Sequence, residues 1–190
     1  MGRWEPNARL RLVRAALDLF TEQGYDTTTV NEIAERAGLT KTTFFRHFPD
    51  KREVLFAGQA THSRLLAEAV AAAPGSATPL EAVTAALDAI SATFTSDHRE
   101  FAARLQEVVA GNSELQERAA HKRAGMAAAM REALIGRDVP EPTATLAAEL
   151  GVLAFFRAFA RWSDPADQRT ITDLARRELD GLRAATGTLG

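Results

Sequence analysis

The chain has 190 residues, 46% hydrophobic and 25% charged, with 12 Gly and 7 Pro. That is the composition of an ordinary globular protein, and it excludes disorder and collagen-like structure. Cysteine is absent, so disulfide scaffolds, thiolate zinc sites and cysteine nucleophiles are excluded as well.

The formal net charge of −2 is unevenly divided. Residues 1–52 carry nine Lys and Arg against seven Asp and Glu, and residues 53–190 carry 14 against 18. A basic front on an acidic rear suits a small DNA-contacting module on a larger body, and equally suits ordinary solvated faces. The apolar stretches Leu65 to Ala73 and Leu153 to Ala160 are each interrupted by a charge and fall short of the ~20 residues that span a bilayer. Met1-Gly2-Arg3-Trp4-Glu5-Pro6 has neither an apolar core nor a small-residue cleavage site. The expectation is a cytoplasmic protein with no membrane partner.

Strand signals are nearly absent, which predicts an all-α fold of about nine helices. A first helix runs from about Asn7, with Leu12, Ala15, Ala16, Leu19 and Phe20 on one face, until Gly24 stops it. Thr27, Thr28 and Thr29 offer caps for a second helix over Val30 to Ala37, broken by Gly38. Thr40 caps a third to about His47, ended by Pro49. Asp50 then caps a long fourth helix to about Ala73, continuous from Lys51 into the rear core. Pro74-Gly75-Ser76 is a loop, and Thr78-Pro79-Leu80-Glu81 is a capping box opening a fifth helix to about Ser96. Asp97 with Glu100 starts a sixth, ending near Gly111-Asn112; Ser113 with Gln116 starts a seventh, ending at Gly136. The eighth spans about Thr143 to Trp162 and the ninth about Asp167 to Ala185. The short front helices and long rear ones divide the chain into domains 1–52 and 53–190.

Residues 29–48, TVNEIAERAGLTKTTFFRHF, are two short helices about a Gly turn. The spacing fits a helix-turn-helix whose second helix enters the DNA major groove, or simply a compact way to pack two short helices. Ala34 is small where the helices cross, and Gly38 supplies a left-handed turn. With Phe44 and Phe48 on the buried side of the third helix, Thr42, Thr43 and Arg46 face outward and His47 lies at the edge. Thr can touch a thymine methyl or a base edge, and Arg can take guanine O6 and N7 together. Thr29, Thr40, Lys41 and Lys51 stand at helix starts, where hydroxyls, N–H groups and ammoniums suit phosphates. The arm Gly2-Arg3-Trp4 either reaches the DNA or frays.

The run Ala15-Ala16-Leu17-x-Leu19-Phe20-x-x-x-Gly24-Tyr25-x-x-Thr28-Thr29-Val30-x-x-Ile33-Ala34-x-x-Ala37-Gly38-Leu39-Thr40-Lys41-x-Thr43-x-Phe45-x-His47-Phe48-x-x-Lys51 closely resembles the TetR family of bacterial transcriptional repressors. The resemblance covers roughly the first 55 residues. It implies that Asn31, Lys41, Thr42, Thr43, Phe45, Arg46, His47 and Lys51 lie at or near DNA, with Lys51 on a backbone phosphate. Two positions depart from the family: Thr42 stands where Gly, Ala or Pro is frequent, and Phe45 where Tyr is usual. Phe45 lacks the hydroxyl for a phosphate hydrogen bond and is left with van der Waals contact.

For the rear, the resemblance implies five or six helices around a small-molecule cavity and a homodimer through the last two helices. The eighth helix places Leu146, Leu150, Leu153, Phe156 and Phe159 along one side, with Phe155 and Trp162 widening the apolar arc; this suits a dimer face or a deeply buried helix. The ninth carries Ile171, Leu174, Leu179 and Leu182. Candidate effector contacts are the apolar Phe94, Phe101, Met126, Met130, Phe155 and Phe159, with His62, Ser91, His98 and Gln106 as polar anchors. A largely apolar effector fits this set. No catalytic constellation, metal site or cofactor motif is present in the sequence, so an enzyme is not expected. The function that follows is a homodimeric repressor released from a double-stranded, pseudo-palindromic operator by a small molecule. The alternative is an effector-independent regulator or activator whose rear domain only dimerises or docks a protein.

Overall fold

A computed structural model describes residues 7–56 and 58–188. Among the described residues the chain forms nine α-helices and two 3-10 turns, with no strand. The arm Gly2-Arg3-Trp4 lies outside the described residues. The chain divides into two compact units, one of residues 1–57 with 104–119, the other of 58–103 with 120–190. The front unit is thus not the contiguous 1–52 stretch: it ends five residues later and takes in a second segment.

In the front unit, α1 (Ala8–Gln23), α2 (Val30–Arg36) and α3 (Lys41–His47) bury Leu12, Leu17, Phe20, Ile33, Phe44 and Phe48. Segment 104–119 joins them because Leu115 is fully buried and three polar contacts fasten it. The Arg104 guanidinium donates to the Asp18 carboxylate at 2.7 Å, the Arg118 guanidinium to Glu53, and the Asn112 amide to Asp26 at 3.3 Å. Sequence periodicity cannot reveal such a return, since its partners lie 65 or more positions away.

The long fourth helix is a correction. The Asp50 carboxylate does cap, accepting from the Glu53 N–H at 3.0 Å, but what it caps is a 3-10 turn, Arg52–Phe56. Gly58 then adopts a left-handed φ of 98° before α4 (Gln59–Ala72) begins.

In the rear unit, α5 (Pro79–Ser91) opens with the expected Thr78–Glu81 capping box and stops five residues early. The Thr93 hydroxyl donates to the Ile90 carbonyl at 2.7 Å, offering the backbone an alternative to the next helical turn. A 3-10 turn, Ser96–His98, leads into α6 (Arg99–Ala110), and α7 (Ser113–Ile135) is capped by Asn112, whose side-chain Oδ1 accepts from the Leu115 N–H at 3.1 Å. Helix α8 (Glu141–Trp162) starts earlier than expected, with Pro142 in its first turn. Helix α9 (Ile171–Thr186) starts later, at a Thr170 cap. Asp167 cannot cap it, because the Arg169 guanidinium holds that carboxylate in the loop at 2.7 Å and draws it down to about 2.

Helix α8 packs against α5 and α9 through Ala144, Ala147, Ala148, Gly151, Ala154 and Ala158. A Cβ built on Gly151 would meet Val83 Cγ1 at 2.5 Å, so the glycine lets α5 and α8 approach closely. The single apolar side read from the sequence therefore splits in two. Phe155 and Trp162 point into the core, whereas Leu146 is 54% and Leu153 43% exposed. By length and composition α8 could cross a bilayer, a correction to the expectation that no stretch could. Its small-residue face packs as a core helix does.

Candidate nucleic-acid interface and effector cluster

Helix α2 is fixed by reciprocal capping. The Glu32 N–H donates to the Thr29 hydroxyl oxygen at 3.3 Å, while the Thr29 N–H and hydroxyl donate to the Glu32 carboxylate at 2.7 and 2.8 Å. Both Thr29 donors are thus committed inside the protein, which leaves the expected phosphate contact at this position without a free proton. Helix α2 ends with the Leu39 N–H reaching the Ala34 carbonyl at 2.8 Å and the Gly38 N–H reaching Glu35 at 2.9 Å, the paired bonds of a Schellman stop. Gly38 takes φ 65°, and the Arg11 guanidinium donates to the Ala37 carbonyl beside it, tying α1 to the turn.

Thr40 then caps α3, accepting from the Thr43 N–H at 3.2 Å, with the two hydroxyls 3.0 Å apart. Phe44 and Phe48 anchor the buried face, with ring centroids 5.6 Å apart. Seven residues suffice for a helix here because both ends are held and one face is fully buried. The opposite face carries Lys41, Thr42 and Arg46, all exposed, together with Phe45 at 48% exposure. Thr43 and His47 are half-buried at its edges, and Asn31 is exposed in the first turn of α2. Burial, with the nearby charges of Arg46 and Arg9, holds the His47 imidazole below its ordinary range, and its Nε2 has no partner.

Lys51 differs from expectation. Its ammonium donates to the carbonyls of Tyr25 at 2.6 Å and Thr28 at 2.9 Å, over the Tyr25 ring at 4.1 Å. Two of its three N–H groups thereby stitch the α1–α2 loop, and only the third is left for a phosphate. Partial burial pushes its pKa down.

In the rear unit, Phe94 is the hub of a ring cluster, with centroids 5.9 Å from Phe155, 5.5 Å from Phe159 and 5.9 Å from Trp162. His62 lies 6.0 Å from Phe94 on the other side, its imidazole held below the usual range by burial and by Lys122. Ser91 is 1% exposed, with an unpartnered hydroxyl. Met126 and Met130 are buried in the same apolar core. His98 stands 6.5 Å from Phe94 but is exposed, and Phe101 is half-buried. Gln106 belongs to the front unit and falls outside this cluster. The sequence reading omitted three members. Trp162, at i+3 from Phe159 and i+7 from Phe155, carried a periodic signal. Arg99, which lies over the Trp162 ring at 5.5 Å, carried none, and Lys122 only its rarity.

Residues 12–57 match the family model described as bacterial regulatory proteins, tetR family. Over 82 residues the chain is 39% identical to the HTH-type transcriptional regulator TcmR of Streptomyces glaucescens, a stretch covering 43% of this chain and 36% of that protein. It is 40% identical over 53 residues to YvkB, an uncharacterized HTH-type transcriptional regulator of Bacillus subtilis, covering 28% of each. The chain thus matches only about a third of the length of these curated relatives. Among solved structures, a TetR-family transcriptional regulator from Syntrophomonas wolfei superimposes with a TM-score of 0.63 at 15% identity, covering 97% of both chains. Thermus thermophilus FadR, a TetR-family repressor in complex with lauroyl-CoA, gives 0.56 at 21% identity, covering 96% of this chain and 95% of that one. At these identities the structural likeness is one of fold.

Proposed function

We propose, from the match of residues 12–57 to the tetR family of bacterial regulatory proteins, that the chain is a cytoplasmic, homodimeric transcriptional repressor released from a pseudo-palindromic operator by a small-molecule effector. The observation that carries the reading is the outward face of α3, where Lys41, Thr42, Phe45 and Arg46 are exposed while Phe44 and Phe48 hold the helix down. Seated in a major groove, that face puts Arg46 within reach of guanine O6 and N7, and Thr42 and Thr43 within reach of neighbouring bases. Lys41, Thr40 and the remaining Lys51 N–H take phosphates, Asn31 and His47 flank them, and the Phe45 ring makes apolar contact. This is a binding role, not an enzymatic one.

The outward leucines of α8 supply the dimer face, covered by a second copy. Glu149 and Arg157 are exposed four residues before and after Leu153. A two-fold axis through Leu153 brings each Glu149 to the other copy's Arg157, as a self-complementary interface requires. A two-fold dimer reads half-sites ~34–36 Å apart or a multiple of that.

Effector release follows from linkage: a ligand that favours a non-binding conformation weakens operator affinity by the factor by which DNA weakens ligand affinity, typically about 5–150-fold. With the chain interrupted at Gly58, coupling passes along α6 and α7, each of which begins in one unit and ends in the other. The ring cluster about Phe94 receives the effector. The deciding experiment retains genomic DNA fragments on the purified protein at several salt concentrations and sequences them. A recovered palindrome with steep salt dependence supports the reading; retention without sequence enrichment overturns it.

A further inference from the structure

The basic side chains of the front unit fall into two sets. Most are engaged within the protein, either with a carboxylate, as Arg36 is with Glu22 and Arg118 with Glu53, or with backbone carbonyls, as Arg11 and Lys51 are. Arg9, Arg14, Lys41 and Arg46 are exposed and have no acidic partner among the described residues. Lys41 and Arg46 belong to the outward face of α3. Of the two on α1, Arg9 is the one that the fold carries to α3.

Arg9 stands in the first turn of α1, which holds no acidic residue. Its guanidinium lies over the Phe48 ring, 5.6 Å from the centroid, and Phe48 is the residue on which α3 ends. The His47 imidazole meets the same ring at 6.4 Å. Burial, then the charges of Arg46 and Arg9, depress that imidazole, so no carboxylate stands between them. Three basic side chains from two helices therefore gather at the carboxyl end of α3.

A ring orients a guanidinium without neutralising it. Arginine keeps its charge at every accessible pH, so Arg9 and Arg46, brought together without a counter-charge, repel one another until an anion joins them. A planar guanidinium matches phosphate oxygens two at a time, and a group held in place by a ring loses less freedom on binding one. The anion that the outward face of α3 meets in a major groove is the DNA backbone, which carries one negative charge per ~1.7 Å of duplex.

We propose that Arg9, presented by the Phe48 ring, binds a DNA backbone phosphate at the carboxyl end of α3. The contact anchors the helix and sets its register, and reads no base. The inference rests on the DNA-binding reading above and extends that interface from α3 to the start of α1.

The test titrates the full chain onto a random-sequence duplex of about 30 base pairs, since a phosphate contact is independent of sequence, at salt concentrations from about 0.05 to 0.5 M. Arg9→Gln is expected to reduce the slope of log affinity against log salt by about 0.9 per protomer, a weakening of about eightfold at 0.1 M salt and about twofold at 0.5 M. Arg9→Lys, which keeps the charge, retains most of the slope. Arg14→Gln removes the same charge from a position about 140° around α1 and should change the slope by less than half as much. Salt dependence separates anchoring from a structural role, because an Arg9 that only supports Phe48 would weaken binding by one factor at every salt concentration. That result, an unchanged slope in Arg9→Gln, or an equal change in Arg14→Gln overturns the proposal while the parent chain still binds duplex. Absence of duplex binding by the parent chain overturns the DNA-binding reading and the proposal together.

Discussion

The two units dispose of their large apolar side chains in opposite ways. In the front unit, Leu12, Leu17, Phe20, Phe44 and Phe48 all turn inward, and the outward face of α3 shows polar groups around one aromatic ring, Phe45. In the rear unit, α8 turns its alanines and Gly151 inward and shows Leu146 and Leu153 outward. A short helix pinned by caps and two phenylalanines keeps large groups inside because nothing else can hold it. A long helix packed through small residues gains close backbone approach, and while its Phe155 and Trp162 stay in the core, its Leu146 and Leu153 are left on a second surface. On the proposed reading, outward polarity marks the unit that would meet DNA, and outward leucine the one that would meet a second copy.

The largest test of that contrast replaces Leu146 and Leu153 together with glutamate. A two-fold dimer buries four leucines there, each worth about 1.5–3 kcal/mol, so dimer affinity should fall by about 100-fold or more in sedimentation analysis. An unchanged dimer would remove the outward leucines from the interface. Next in size is Gly151→Ala, which drives a methyl group toward Val83 and should cost about 1–3 kcal/mol in chemical denaturation. No loss would mean that α5 and α8 are less closely apposed than described.

Lys51→Met removes two bonds to loop carbonyls and a charge. Allowing for its partial exposure, it should cost about 1–2 kcal/mol of front-unit stability and lower the salt slope of DNA binding by about one. A changed slope with unaltered stability would return Lys51 to a purely phosphate-binding role. Arg46→Ala, fully on the outward face, should leave stability unchanged and reduce discrimination between operator and random DNA by about 1–3 kcal/mol. Equal losses on both DNAs would dissolve the distinction between reading and anchoring residues.

The smallest effect concerns pH. Burial holds the His62 imidazole below its ordinary range, so the folded state binds a proton less readily than the unfolded chain. Stability is then present above the unfolded value of about 6.5 and declines as pH falls through it. In His62→Gln the melting temperature should vary less between about pH 7.5 and 5.5 than in the parent chain, and an unaltered profile would place His62 in water.

Much of the front unit was legible in the sequence because its determinants are local. Thr29 with Glu32, Thr40, Gly38 and the Phe44–Phe48 spacing each act within one or two turns, and the structure places all of them as their chemistry demands. What sequence missed there arrives from elsewhere in the chain: the carbonyls that engage Lys51, and segment 104–119 with Leu115 and Arg118. In the rear unit, the Thr78–Glu81 box was legible for the same local reason. The division of α8 into a small inner face and a leucine outer face was not, since a heptad of apolar residues does not say which of them meets a neighbour.

By itself, then, the sequence determined the all-helical class, the helix-turn-helix at 29–48 and the outward set on α3, because caps, turns and short periodicities are settled within a few residues. Only the tertiary structure decided that Gly58 interrupts the fourth helix, that the front unit is built from two segments, and that Phe94 packs against the rings of Phe155, Phe159 and Trp162. Those features depend on which distant surfaces come within a few ångströms, and close packing settles that across the whole fold rather than along any stretch of chain.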